Sequence, residues 1–116
     1  MSTRQEIKAI IQPFMLSKVV DALKKIPHFP GITVTKVQGF GRKKGEGAHH
    51  RIVEDLINYV PKVKIEVVVN DDMLDIVADT ILEHAHTGNR GDGRIFIHDV
   101  KDTIRIETKE RGNAAV

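Results

Sequence analysis

The sequence predicts an α+β fold in which one antiparallel β-sheet is covered on one face by two helices, in the chain order βαββαβ. Three observations carry that expectation. Apolar residues alternate with a period of two in two separate stretches, 5–12 and 63–69. They recur at helical spacing after each stretch. The order strand–helix–strand then appears twice.

Gln5 to Gln12 reads as the first strand, ended by Pro13. From Leu16 the apolar positions Leu16, Val19, Val20, Leu23 and Ile26 describe an amphipathic helix. Ser17 is the expected N-cap, and Pro27 and Pro30 stop the helix. Ile32 to about Phe40 forms the next strand, with Ile32 and Val34 set against Thr33, Thr35 and Val37. In the second half, Val63, Ile65, Val67 and Val69 share one strand face, with Lys64, Glu66 and Val68 on the other. Asn70-Asp71-Asp72 opens a helix with negative charge at its positive end. Its stripe is Leu74, Val77, Ala78, Ile81 and Ala85. Arg94 to His98 is a further strand, and Thr103 to Thr108 is expected to extend the sheet. The result is a ferredoxin-like sandwich, one domain over 1–116. The sheet face without helices is expected to carry several apolar residues and to be covered by self-association.

Between the halves, residues 41–60 form a long loop, basic at Arg42-Lys43-Lys44 and rich in glycine. Loops of this length in compact domains are commonly functional, and its position suggests an arm presented to a partner. His49 and His50 are the first metal candidates. Adjacent side chains on an extended segment point to opposite sides, so a metal shared between subunits is the weaker reading. His84 and His86 read as surface residues at a helix end. His28 and His98 have no visible ligand set.

The segment Thr87-Gly88-Asn89-Arg90-Gly91-Asp92-Gly93-Arg94 joins a helix to a strand. Its three glycines let backbone N–H groups approach a ligand, and Arg90 and Arg94 add positive charge. That chemistry suits an anion, above all nucleotide phosphates. The same residue types also build a helix C-cap at Gly88 and a Gly-Asp-Gly turn. Neither the P-loop nor the dinucleotide fingerprint is present.

With no cysteine, disulfides, thiolate catalysis and zinc-thiolate sites are excluded. A net charge of +2 and 4% aromatic residues argue against nucleic acid as a partner. No apolar run is long enough to cross a bilayer, and the first residues lack a secretory pattern, so a cytoplasmic location is expected.

Several stretches together resemble the PII signal-transduction proteins of nitrogen metabolism. They are Ala9-Ile10-Ile11-Gln12-Pro13-Phe14, Thr33 to Arg42, Pro61 to Val69, Thr87-Gly88 through Gly91-Asp92-Gly93-Arg94-Ile95-Phe96, and Ile104-Arg105-Ile106. The likeness covers nearly the whole chain. It implies a homotrimer with adenine-nucleotide clefts between subunits, and makes the 41–60 loop an effector loop that docks on a membrane transporter or metabolic enzyme. By position, Gly39, Gly41, Arg42, Thr87, Gly88, Gly91, Asp92, Gly93, Arg94 and Arg105 would line the nucleotide site, with Glu66 and Val68 holding adenine. ATP, ADP and AMP are the implied regulatory ligands. In the family, 2-oxoglutarate binds beside ATP-bound magnesium, where Lys62 would meet a carboxylate.

Three departures from the family pattern bear on ligand choice. Lys43 stands where a magnesium-ligating glutamine is usual, and a charged ammonium has no lone pair to offer the metal. Magnesium-dependent 2-oxoglutarate sensing is therefore in question, and Lys43 suits a phosphate or small anion instead. Glu107 replaces an arginine that grips the outer phosphates. A carboxylate about 4 Å from a phosphate costs on the order of 4 kcal/mol at an effective dielectric of about 20, which favours nucleotides with fewer phosphates. Asp55 replaces the tyrosine that many bacterial members use for uridylylation, and the loop contains no serine for phosphorylation.

The expected function is a non-enzymatic nitrogen regulator acting through its loop. The alternative is a divergent sensor of AMP/ADP/ATP balance, of a small anion such as bicarbonate, or of a metal, without a 2-oxoglutarate response. Catalysis is disfavoured. Asp92 and Glu66 are carboxylates, but no nucleophile with a positioned base accompanies them.

Overall fold

A computed structural model describes residues 3–40 and 59–116. The first strand, β1 (Arg4–Ile11), ends two residues before Pro13, where a 3₁₀ turn Pro13–Met15 leads directly into α1 (Leu16–Leu23). Then come β2 (Thr33–Gly39), β3 (Val60–Asn70), α2 (Asp71–Ala85) and β4 (Gly93–Asp99). Among the described residues these strands make one antiparallel sheet in the order β2-β3-β1-β4. With the two helices this is the expected ferredoxin-like α+β arrangement.

The period-two pattern places Ile7, Ala9, Ile11, Val63, Ile65, Val67 and Val69 on one face, all buried against the helices. Val19 and Leu23 of α1 and Val77, Ile81 and Ala85 of α2 close that core. Each aliphatic side chain removed from water there contributes roughly 1.5–3 kcal/mol. The core is the larger part of what holds the sheet and helices together.

Several boundaries differ from the sequence expectation. Ser17 does not cap α1: Met15 holds the N-cap position without a side-chain bond, because the preceding 3₁₀ turn already leads the backbone into the helix. α1 stops at Leu23 and unwinds through turns in which Lys25 N–H bonds Ala22 O and Ile26 N–H bonds Leu23 O, ahead of both prolines. Ile26 stays buried all the same. β3 begins at Val60, three positions before Val63. Pro61 is tolerated because β1 pairs only from Val63 onward, so the sheet loses no donor there on that side.

Thr103–Thr108 is not a strand. Ile104 makes a single antiparallel bridge to Arg111, and Ile106 is 92% exposed. Alternation alone does not make a strand where no neighbour supplies a ladder. The open sheet face carries several apolar residues, as expected, interspersed with charges. The cross-strand pairing lines up Glu6 with His98 and Val68, Lys8 with Phe96 and Glu66, and Ile10 with Arg94 and Lys64. Ile10, Val37, Val60, Val68 and Phe96 are its apolar positions, set among charges.

Candidate functional site

α2 ends at Ala85, and His86 forms its cap with an N–H bond to Leu82 O of 3.1 Å. Gly88 is therefore not the cap. It lies two residues beyond, at φ +88°. Gly91 and Gly93 also have positive φ, +94° and +111°. A Cβ on Gly93 would lie 1.7 Å from Ile10 O, so this position admits no side chain at all. The glycines are required by the backbone path itself, whatever they also do for a ligand.

Asp92 is the centre of the loop. Its carboxylate accepts from Thr87 Oγ1 at 2.5 Å, Thr87 N at 2.7 Å and Gly88 N at 2.9 Å. His86 Nδ1 lies 3.7 Å away. The Thr87 hydroxyl and backbone bonds, then that of Gly88 and the neighbouring His86, hold the carboxyl below its ordinary value near 3.8 against a smaller opposing effect of desolvation. The Thr87 and Gly88 amides thus bond the Asp92 carboxylate of the same loop. Asn89 N–H bonds Thr87 Oγ1 at 3.1 Å.

From β3, Lys62 Nζ donates to Gly91 O at 2.5 Å. A Cβ on Gly91 would stand 3.1 Å from Gln12 Nε2 and 3.6 Å from that ammonium, and one on Gly39 would stand 3.5 Å from Lys62 Cγ. Gly39, Lys62 and Gly91 therefore meet at one end of the sheet. Gly93 and Arg94 begin β4 beside them, opposite Ile11 and Ile10.

Glu66 and Val68 belong to a different place. With Glu6, Thr33 and Thr103 they line a cleft of about 490 Å³ that the chain's last residues, Ala115 and Val116, complete. Arg105 Nη2 donates to Val116 O at 3.0 Å, and its Nε is 3.9 Å from Glu110. The candidates on one chain thus form two groups. Glu6, beside Val68, and Ile11, beside Gly93, are five residues apart on β1, about 17 Å along a strand.

Gly41, Arg42, Lys43, His49, His50 and Asp55 lie outside the described residues. Among the described residues no group of three His, Cys, Asp or Glu side chains is placed to hold a metal. His84 Nδ1 sits 2.8 Å from Thr80 O in the last turn of α2, and His98 sits 3.9 Å from Glu6.

Three features escaped sequence reasoning. The inward role of Asp92 had a signal in the five-residue spacing from Thr87. The Lys62–Gly91 bond spans 29 residues and has none. The Phe40 and Tyr59 rings, 5.9 Å apart, flank the 41–58 segment.

Comparison with known proteins decides the family. The family model described as "Nitrogen regulatory protein P-II" matches residues 4–110. The chain belongs to the P-II family. It is 48% identical to the Nitrogen regulatory protein P-II of Klebsiella oxytoca over 112 residues, covering 97% of this chain and 99% of that one. The same figures hold for Nitrogen regulatory protein P-II 1 of Escherichia coli strain K12. Among solved structures, Arabidopsis thaliana PII bound to citrate superposes with a TM-score of 0.80 at 41% identity, covering 99% of this chain and 94% of that one. P-II proteins are signal-transduction regulators of nitrogen metabolism and not enzymes. No helix among the described residues is long and apolar enough to cross a membrane.

Proposed function

We propose that this P-II protein is a cytoplasmic homotrimer that binds adenine nucleotides between protomers and uses the 41–60 loop to control a transporter or enzyme. The observation that carries the reading is the division of the site residues. The glycine loop with Lys62 and Arg94 offers cationic and amide groups at one end of the open face. Glu66 and Val68 offer a carboxylate acceptor and an apolar contact at the other, in the cleft beside Arg105. Adenine and phosphates need both kinds of surface within one ligand's reach. A neighbouring copy, set with its cleft against this chain's loop, meets that need.

Family membership supports nucleotide binding, since P-II proteins generally bind adenine nucleotides and 2-oxoglutarate. The citrate named with the Arabidopsis protein shows that a relative accommodates a polyanion. Lys43 and Lys62 each bring a cation that suits an anion and not a magnesium ion. Glu107 disfavours the outer phosphates. The reading that follows is a regulator with weak 2-oxoglutarate dependence and a preference for ADP or AMP over ATP.

Calorimetric titration with ATP, ADP and AMP, each with and without magnesium and 2-oxoglutarate, tests it alongside light scattering for the oligomer. The expected result is a trimer with one site per protomer and no large gain from magnesium plus 2-oxoglutarate. A monomer, or no adenylate binding at millimolar concentration, overturns the proposal. A strong magnesium-dependent gain with 2-oxoglutarate overturns the role given to Lys43.

A further inference from the structure

The turn that joins α1 to β2 leaves a hollow that shares no lining residue with the 87–94 loop. It measures about 530 Å³, within the range of small-molecule sites, and its apolar lining comes from Val20, Leu23, Ile26, Phe29 and Ile32. Leu23 and Ile26 are buried in the core. Phe29 and Ile32 pack against that core only in part, so apolar surface stays open between them. Two further side chains join the lining, Lys24 and His28, both exposed. Among the described residues neither has a side-chain hydrogen bond or ion pair, and no Asp or Glu shares the lining with them.

We propose that this hollow binds a small monocarboxylate with a hydrocarbon body, its acid group held by Lys24 and His28. The proposal does not depend on what the cleft beside Glu66 binds. The apolar walls take the hydrocarbon out of water, and an ammonium and an imidazole N–H are donors suited to one carboxylate. The end of α1 does not repel that anion as a bare helix C-terminus would. The carbonyls of Val20, Ala22 and Leu23 already accept from the N–H groups of Lys24, Lys25 and Ile26. His28 stands at φ +62°, a left-handed conformation that glycine adopts without strain, so the imidazole is kept there against a backbone preference. Gly31 and Ile32 also line the cleft of about 490 Å³ that holds Glu66 and Val68. An occupant of the hollow therefore touches a wall of the candidate site.

Titration of isotopically labelled full-length protein with octanoate, followed by NMR, tests the site, with octan-1-ol as the uncharged counterpart. Octanoate is expected to shift the amides of Phe29, Gly31 and Ile32 saturably at millimolar concentration. Octan-1-ol is expected to bind about fivefold more weakly. Lys24→Met keeps the stem without the charge, and His28→Asn tolerates the left-handed backbone. Each is expected to weaken octanoate by a similar factor and to leave octan-1-ol unchanged. Val20→Phe fills the hollow and is expected to abolish both. Circular dichroism selects variants with the wild-type fold. Absence of octanoate shifts, equal binding of the two probes, or full octanoate affinity in both Lys24→Met and His28→Asn overturns the proposal. So does binding that survives in folded Val20→Phe. Shifts with phosphatidylglycerol vesicles and none with octanoate would assign the surface to a membrane and overturn it as well.

Discussion

On the helix side of the sheet, Ile7, Ile65 and Val69 are fully buried in an unbroken aliphatic layer. On the other side, the same strands present Glu6, Lys8, Lys64 and Glu66 in cross-strand rows. One strand thus serves two purposes by the alternation of its side chains. The first face makes the protein fold. The second is free to carry charge, because its side chains contribute little to the core. Recognition chemistry can diverge there while the fold stays within reach of relatives at 48% identity.

Substitutions at adjacent positions sharpen that contrast most. Ile65→Ala is expected to destabilise by about 2–5 kcal/mol, as buried isoleucine truncations do. Lys64→Ala, one residue away on the open face, is expected to stay within about 0.5 kcal/mol of wild type. Denaturant unfolding of both variants checks the pair, and similar losses in the two would dissolve the distinction between the faces. Gly93→Ala breaks it from the loop side, since the new Cβ would strike Ile10 O in β1 at a positive φ. A loss of about 3 kcal/mol is expected, again read by denaturant.

The smallest effect is local and depends on pH. The Asp92 carboxyl is held below its ordinary value near 3.8, so its contribution to loop order is complete above that pH. It fades as pH falls through the lowered folded value. NMR titration of Asp92 should give a midpoint below 3.8, with Thr87 and Gly88 amide shifts following it. In Asp92→Asn that titration disappears. A midpoint at or above the ordinary value would mean that the three hydrogen bonds do not favour the charged form.

Much of this was legible in the residues. Val63, Ile65, Val67 and Val69 announce a half-buried strand, and Leu74, Val77, Ala78, Ile81 and Ala85 a helix, because burial selects those periods directly. Thr103–Thr108 misled because alternation records a face but not a partner: Ile104 and Ile106 had no strand to pair with. Ser17 misled because helix entry was already settled by the turn at Pro13–Met15. At the site, residue types at 87–94 indicated anion chemistry, yet their local use was hidden. Whether an amide meets a ligand or Asp92 depends on how the turn closes, which composition does not encode. The Lys62–Gly91 bond depends on tertiary approach and leaves no trace in local spacing.

The central place of β1 bears on how the chain is made. Its ladder partners lie at 63–70 and 93–99, and the Gln5–Asp99 pair spans 94 positions. β1 must therefore wait for β4, 94 positions further on at the Gln5–Asp99 pair, before its hydrogen bonds are complete. Such distant pairing slows folding and keeps Ile7 and Ile11 uncovered during synthesis. A nascent chain halted before β4 would expose them on an unfinished edge, where chaperones and proteases find their substrates.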